Sequence, residues 1–146
     1  MERVEVIESK SPEETKAIAV KMAAEAEPGD VYTLIGDLGV GKTLFASGFA
    51  EGLGITEPIS SPTFTVICEY EEGRLPFYHM DAYRLEDPSE AEVIGVDEYL
   101  SGDGVCLIEW ADQIEELIPE KHTRIEIEKD LEKGFDYRKI TLRYFA

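Results

Sequence analysis

The chain has 146 residues, with 14 basic and 32 acidic side chains, so its formal net charge is −18. That length suits one domain over residues 1–146, and a hydrophobic share of 43% is enough to build a core rather than a disordered coil. No apolar run is long enough to span a membrane, MERVEVIESK lacks a signal-peptide layout, and so acidic a surface repels a nucleic-acid backbone.

In chain order, Arg3–Glu8 alternates apolar and charged residues and predicts an edge strand. SPEE follows. Ser11 suits an N-cap, Pro12 the first helical position and Glu14 a capping box, so a helix is expected to about Glu25, with Ile18, Ala19, Met22 and Ala23 inward. VYTLI, Val31–Ile35, is a continuous apolar run, as expected of a central parallel strand. After a glycine-rich turn, Leu44, Phe45, Gly48, Phe49 and Leu53 mark a helix from about Lys42 to Gly52.

Gly54–Pro62 reads as a loop. Phe64–Tyr70 and Leu75–Met80 read as an antiparallel hairpin across the turn Glu71–Gly73. Asp87, Pro88, Ser89 and Glu90 start a short helix that Gly95 breaks, and Val96–Leu100 adds a turn. Val105–Glu109 is a second buried strand that ends in an acid. Asp112–Leu117 is a short helix stopped by Pro119. Thr123–Lys129 and Arg138–Phe145 alternate at period two, which predicts a final hairpin at a sheet edge. The sum is an α/β fold: one mixed sheet flanked by helices, with antiparallel hairpins.

Cys68 and Cys106 each sit in an apolar run without metal-type spacing, so two buried strand thiols in a reducing cytoplasm are expected. The chain has no asparagine and one glutamine, Gln113, a profile seen in proteins from hot environments.

GDLGVGKT, Gly36–Thr43, matches G-x-x-x-x-G-K-[ST] in full. Chance yields such a match in a chain this long roughly once in a few hundred sequences, and here a strand precedes it and a helix follows it. The glycines free the backbone to turn its N–H groups inward as an anion nest, and the helix adds its positive end. Asp37, Leu38, Gly39, Val40, Gly41, Lys42, Thr43 and Leu44 form the expected nucleotide cradle. Backbone amides from Leu38 to Thr43 hold the β-phosphate, Lys42 reaches the β- and γ-phosphates, and the Thr43 hydroxyl faces Mg²⁺.

Such a loop needs an acid for magnesium at a neighbouring strand end. Glu109 ends VCLIE, like a Walker B acid one methylene longer, and is expected to hold metal-bound water or act as a base. Asp81 has two readings, a second magnesium-shell acid or a turn residue. His79 either orients that acid or a water, or simply packs. Arg84 stabilises phosphate charge, makes a salt bridge or faces a partner. Thr63 in SSPTF follows the loop by about twenty residues, so it senses the γ-phosphate as switch loops do, or starts a strand. Trp110 either packs on the core or lies beside the nucleotide. Tyr78 and Tyr83 read as packing residues, and Asp37 as facing solvent or a partner. The guanine-reading [NT]-K-x-D pattern is absent, so ATP is the expected nucleotide. Lys129, Lys133 and Arg138 are equal candidates for flanking the base.

GDLGVGKT, SPTF, YHMDAYR and VCLIEW, in this order, resemble the motif set of the TsaE (YjeE) family, and the resemblance covers nearly the whole chain. These are small bacterial ATPases required for threonylcarbamoyladenosine modification of tRNA. The resemblance implies that Lys42 and Thr43 bind phosphate and Mg²⁺, and that Glu109 is the acidic magnesium ligand. It matches Asp81 to the acid of the family's HxDxYR motif and Thr63 to its SPT threonine. Val40 stands where many relatives have alanine, which leaves a backbone nest intact. The implied partners are TsaD and TsaB, which transfer the threonylcarbamoyl group, so this chain meets tRNA only through them. The residues alone leave two alternatives: a non-catalytic module gated by ATP, and a small-molecule kinase, which the scarcity of arginines disfavours.

Overall fold

A computed structural model describes residues 2–36, 41–59, 67–81 and 95–145. In chain order its elements are β1 (Glu2–Ser9), α1 (Pro12–Glu25), β2 (Val31–Ile35), α2 (Lys42–Gly52), β3 (Ile67–Tyr70), β4 (Phe77–Asp81), α3 (Val96–Leu100) and β5 (Val105–Glu109). A 3-10 segment (Ala111–Leu117), β6 (His122–Lys129) and β7 (Arg138–Phe145) complete them. The helix expected at Asp87–Glu90 and the start of the Phe64–Tyr70 strand lie outside the described residues.

Among the described residues the strands form one sheet in the order β1-β7-β6-β2-β5-β4-β3. β2 runs parallel to both its neighbours, β5 and β6, and β4 runs parallel to β5. Val31–Leu34 and all five residues of β5 are buried, as continuous apolar runs require when both faces are covered. β3 and β4 form the antiparallel hairpin read from the sequence, with β3 at one edge. β1 is the opposite edge strand, as expected.

The final hairpin is not at an edge. β6 lies against β2, and β1 covers the far side of β7. Period-two alternation reports one wet face, but it does not report which strand lies alongside. The expectation of two buried thiols also needs correction: Cys106 is buried, whereas Cys68, on edge strand β3, is only half-buried.

The start of α1 follows its sequence signature. Glu14 N–H donates to Ser11 Oγ at 3.1 Å, and Glu14 Oε2 accepts from Lys10 N–H at 2.5 Å. Its end is secured from far away in the chain. Arg74 Nη2 donates to the carbonyls of Ala23, Ala24 and Ala26 at 2.6, 3.1 and 2.8 Å. α1 has no basic residue in its own last turn, so Arg74 supplies the charge that favours a helix C-terminus.

α1 and α2 pack on one face of the sheet. Gly48 permits their close approach, because a Cβ there would meet the Lys16 carbonyl oxygen at 2.7 Å. Beneath them Phe45, Phe49, Leu34, Leu107, Ile125 and Ile140 share one buried cluster. On the other face α3 and the 3-10 segment cover a smaller cluster of Val31, Met80, Val96, Cys106, Ile108 and Ile114.

Candidate functional site

The C-terminal ends of β2, β4 and β5 point to the same end of the sheet, because the three strands are parallel neighbours. β2 delivers Gly36, β4 delivers Asp81 and β5 delivers Glu109. Crevices at such strand ends are where open α/β sheets bind ligands. The position also marks a change in topology, since β2 is followed in space by β5 on one side and β6 on the other.

Gly41 is the N-cap of α2 and adopts φ +109°, a left-handed conformation that a side chain resists. It lets the chain turn directly into the helix, where Phe45 N–H donates to the Gly41 carbonyl at 2.9 Å. No side chain caps this end and no acid lies in its first turn, so the helix's positive end is left for an anion. Lys42 is only 7% exposed, Thr43 is exposed and Leu44 is half-buried. Asp37, Leu38, Gly39 and Val40 lie outside the described residues, as do Thr63, Tyr83 and Arg84.

Glu109 is buried, yet it has two cationic or polar neighbours. Lys42 Nζ lies 3.9 Å from Oε1, and His79 Nε2 lies 2.7 Å from Oε2. The phosphate-loop lysine and the strand-end acid singled out in the sequence are thus brought together. Register explains the histidine. Asp81 pairs with Glu109 and His79 with Leu107, so His79 lies diagonally beside Glu109 on the same sheet face. Its ring stacks on Phe77, with centroids 6.0 Å apart, and Phe77 stacks on Phe49. His79 Nδ1 is buried without a hydrogen-bond partner among the described residues. Facing a carboxylate, the ring donates through Nε2–H to Glu109 Oε2. The sequence considered His79 as an orienter of Asp81; its hydrogen bond goes to Glu109 instead.

Trp110 takes its packing reading, beside the phosphate-loop lysine. Its side chain packs against the smaller cluster, and Lys42 Nζ lies 4.6 Å from the ring centroid. Among the described residues it is the sole non-glycine at positive φ, at +58°. Such a conformation costs a bulky residue of order 1 kcal/mol or more and persists where surrounding contacts enforce it. Sequence reasoning had no signal for this. Tyr78 packs edge-on against Tyr99 at 4.8 Å, as a packing residue should. Asp81 is half-buried at the end of β4.

Glu109 beside Lys42, with Asp81 next to Glu109 in register, suits Mg²⁺ with a phosphate chain. Magnesium keeps several waters and takes one or two carboxylates plus phosphate oxygens, not an all-protein cage. The candidates for the base lie at the same end of the sheet, since β6 runs parallel to β2. Lys133 Nζ lies 4.0 Å from Glu8 and 5.1 Å from the Tyr137 ring centroid, and Arg138 donates to the Phe135 and Tyr137 carbonyls, so both are held within their own turn.

Residues 9–140 match the family described as threonylcarbamoyl adenosine biosynthesis protein TsaE. The chain belongs to the TsaE family. A relative from Bacillus subtilis (strain 168), named tRNA threonylcarbamoyladenosine biosynthesis protein TsaE, is 60% identical over 131 residues, covering 90% of this chain and 80% of that protein. A relative of the same name from Treponema pallidum (strain Nichols) is 44% identical over 112 residues, 77% of this chain and 82% of that one. The crystal structure of YdiB from Bacillus subtilis superposes with a TM-score of 0.86 at 49% identity, covering 100% of this chain and 88% of that one. The mixed α/β sheet is therefore that of a solved relative. Among the described residues of this TsaE family member, no helix is long and apolar enough to cross a membrane.

Proposed function

We propose that this chain is an ATP hydrolase whose turnover supports TsaD and TsaB in the threonylcarbamoyladenosine modification of tRNA. Family membership and the names of its relatives support the pathway. One observation carries the chemistry: Lys42 of the phosphate-loop motif and the strand-end acid Glu109 lie 3.9 Å apart, both buried, at the open end of the parallel strands.

The motif positions support a role for each residue. The backbone of Asp37–Thr43 cradles the phosphates, with Leu44 continuing the helix behind it. Lys42 exchanges part of its pairing with Glu109 for the β- and γ-phosphate oxygens. Thr43, exposed in the first turn of α2, turns its hydroxyl toward the metal. Mg²⁺, when bound with ATP, supplies neutralisation of charge on the phosphate oxygens. Glu109, its carboxylate fixed by the His79 Nε2–H, would help hold Mg²⁺ or orient the attacking water. Asp81, its neighbour in register, shares that shell. Thr63 and Arg84 respond to the γ-phosphate. Trp110 holds Lys42 from the other side. Positioning and charge neutralisation supply most of the rate in such chemistry.

The acidic surface, at net charge −18, makes tRNA an indirect partner, reached through TsaD and TsaB. The test is MgATP binding by calorimetry and hydrolysis by phosphate release, with Lys42→Ala beside the native chain. Loss of one such charge is expected to lower hydrolysis about 10²–10³-fold. Unchanged binding and turnover in Lys42→Ala would refute the assignment.

A further inference from the structure

A second cleft opens on the sheet face opposite α2. It has a volume of about 270 Å³ and lies between β2, β6 and the 3-10 segment, with the turn Ile118–Glu120 as its wall. Thr33 and Arg124, neighbours in the β2–β6 register, both line it. Thr33 is 97% buried, being 3% exposed, and its hydroxyl has no hydrogen-bond partner among the described residues. Arg124 Nε is likewise buried and has no partner among the described residues. The Arg124 guanidinium lies 5.7 Å from the Phe145 ring centroid, and among the described residues no carboxylate pairs with it. His122 takes no part as a free donor through Nδ1, which is engaged with the Pro119 carbonyl at 2.8 Å.

Two orphan donors in one cleft are unusual, because buried polar groups are nearly always satisfied. We propose that this cleft binds a carboxylate. One carboxylate oxygen accepts from Arg124 Nε–H, and the Thr33 hydroxyl donates to the carboxylate as well. Arginine presents planar donors that match a carboxylate's two oxygens. Phosphate fits less well, since its greater charge would meet the exposed rim acids Glu115 and Glu120. The exposed Ile35 gives the cleft an apolar lip for the carbon chain behind the acid. This inference does not rest on the ATPase reading, as none of Lys42, Thr43, Asp81 and Glu109 lines the cleft.

The test is an NMR titration of the full chain with sodium acetate at constant ionic strength, following the Arg124 Nε–H and the Thr33 and Ile118 amides. A saturable shift at all three is expected, with affinity about tenfold weaker in Thr33→Val and in Arg124→Met. Thr33→Val should not lower the unfolding midpoint, because the hydroxyl has no partner to lose. A parallel titration with N-acetyl-glutamate N-methylamide separates the sources. Tighter binding than acetate identifies an acidic side chain of a partner protein, and weaker binding identifies a small carboxylate. Unsaturable shifts that persist in both variants would overturn the proposal. So would tighter binding of inorganic phosphate, or a Thr33→Val chain that loses stability but keeps its acetate affinity, the result expected if trapped water already satisfies the hydroxyl.

Discussion

β2, β5 and β4 run parallel and are covered on both faces, whereas β7 pairs antiparallel with β6 and β1, and α1 and α2 roof one face of that half. The first half is written as apolar runs, VYTLI and VCLIE. The second is written as alternation, with Ile125, Ile127, Ile140 and Leu142 inward and Arg124, Glu126 and Arg143 on the other face. Edge strand β1 even leaves Val4 and Val6 48% and 55% exposed. The parallel half carries the candidate chemistry because its strands all end together, which brings Gly36, Asp81 and Glu109 to one place. The antiparallel half cannot do this, since β7 ends at the opposite end from β6. It widens the sheet and completes the core beneath α1 and α2.

The sharpest test of this contrast is stability. Leu107 is fully buried in β5, so Leu107→Ala is expected to cost about 2–5 kcal/mol in urea unfolding. Val6→Thr on the bare face of β1 should change stability by less than about 0.5 kcal/mol. Similar costs at the two positions would mean that the bare face is covered after all.

The next effect concerns catalysis within the parallel half. Removing the group that orients a catalytic carboxylate typically lowers activity about 10–100-fold. His79→Ala is expected to do so through kcat, with KM for ATP nearly unchanged, because His79 touches Glu109 rather than the phosphates. A change in KM alone, or lower stability with normal kcat, would reduce His79 to a packing residue.

The smallest effect separates the two cysteines. Burial pushes the Cys106 thiol up to about 12, and its Sγ–H donates to the Tyr99 carbonyl at 3.4 Å. A raised thiol pKa favours the protonated form, so Cys106 stays protonated at pH 8 and its reactivity grows only at much higher pH. Iodoacetamide at pH 8 should label half-buried Cys68 and spare Cys106, as read by mass spectrometry. Equal labelling would mean that β5 opens readily.

Much of this architecture is legible locally. SPEE sets the start of α1, the glycine-rich motif marks the turn into α2, and an apolar run ending in Glu109 is recognisable as a buried strand reaching a site. What escapes the sequence is pairing over distance. Alternation in β6 and β7 shows which residues face water, but it does not show that β1 returns to cover β7. The contact of His79 with Glu109 depends on the register of β4 against β5. Arg74 secures the end of α1 from about fifty positions away, and nothing near either residue announces it. The left-handed conformation of Trp110 is imposed by its surroundings and leaves no local signature. Asp37–Val40, Thr63 and Arg84 carry expectations that rest on the sequence and on family membership.

The most direct measurement is hydrolysis of MgATP by the native chain and by Glu109→Gln, each alone and with TsaD and TsaB. The amide keeps the size of the side chain and removes its charge. The expected result is slow turnover by the native chain, quickened by the partners, and a loss of about 10²-fold or more in Glu109→Gln with ATP binding retained. Native turnover in Glu109→Gln, or ATP bound without hydrolysis under every condition, would contradict the account.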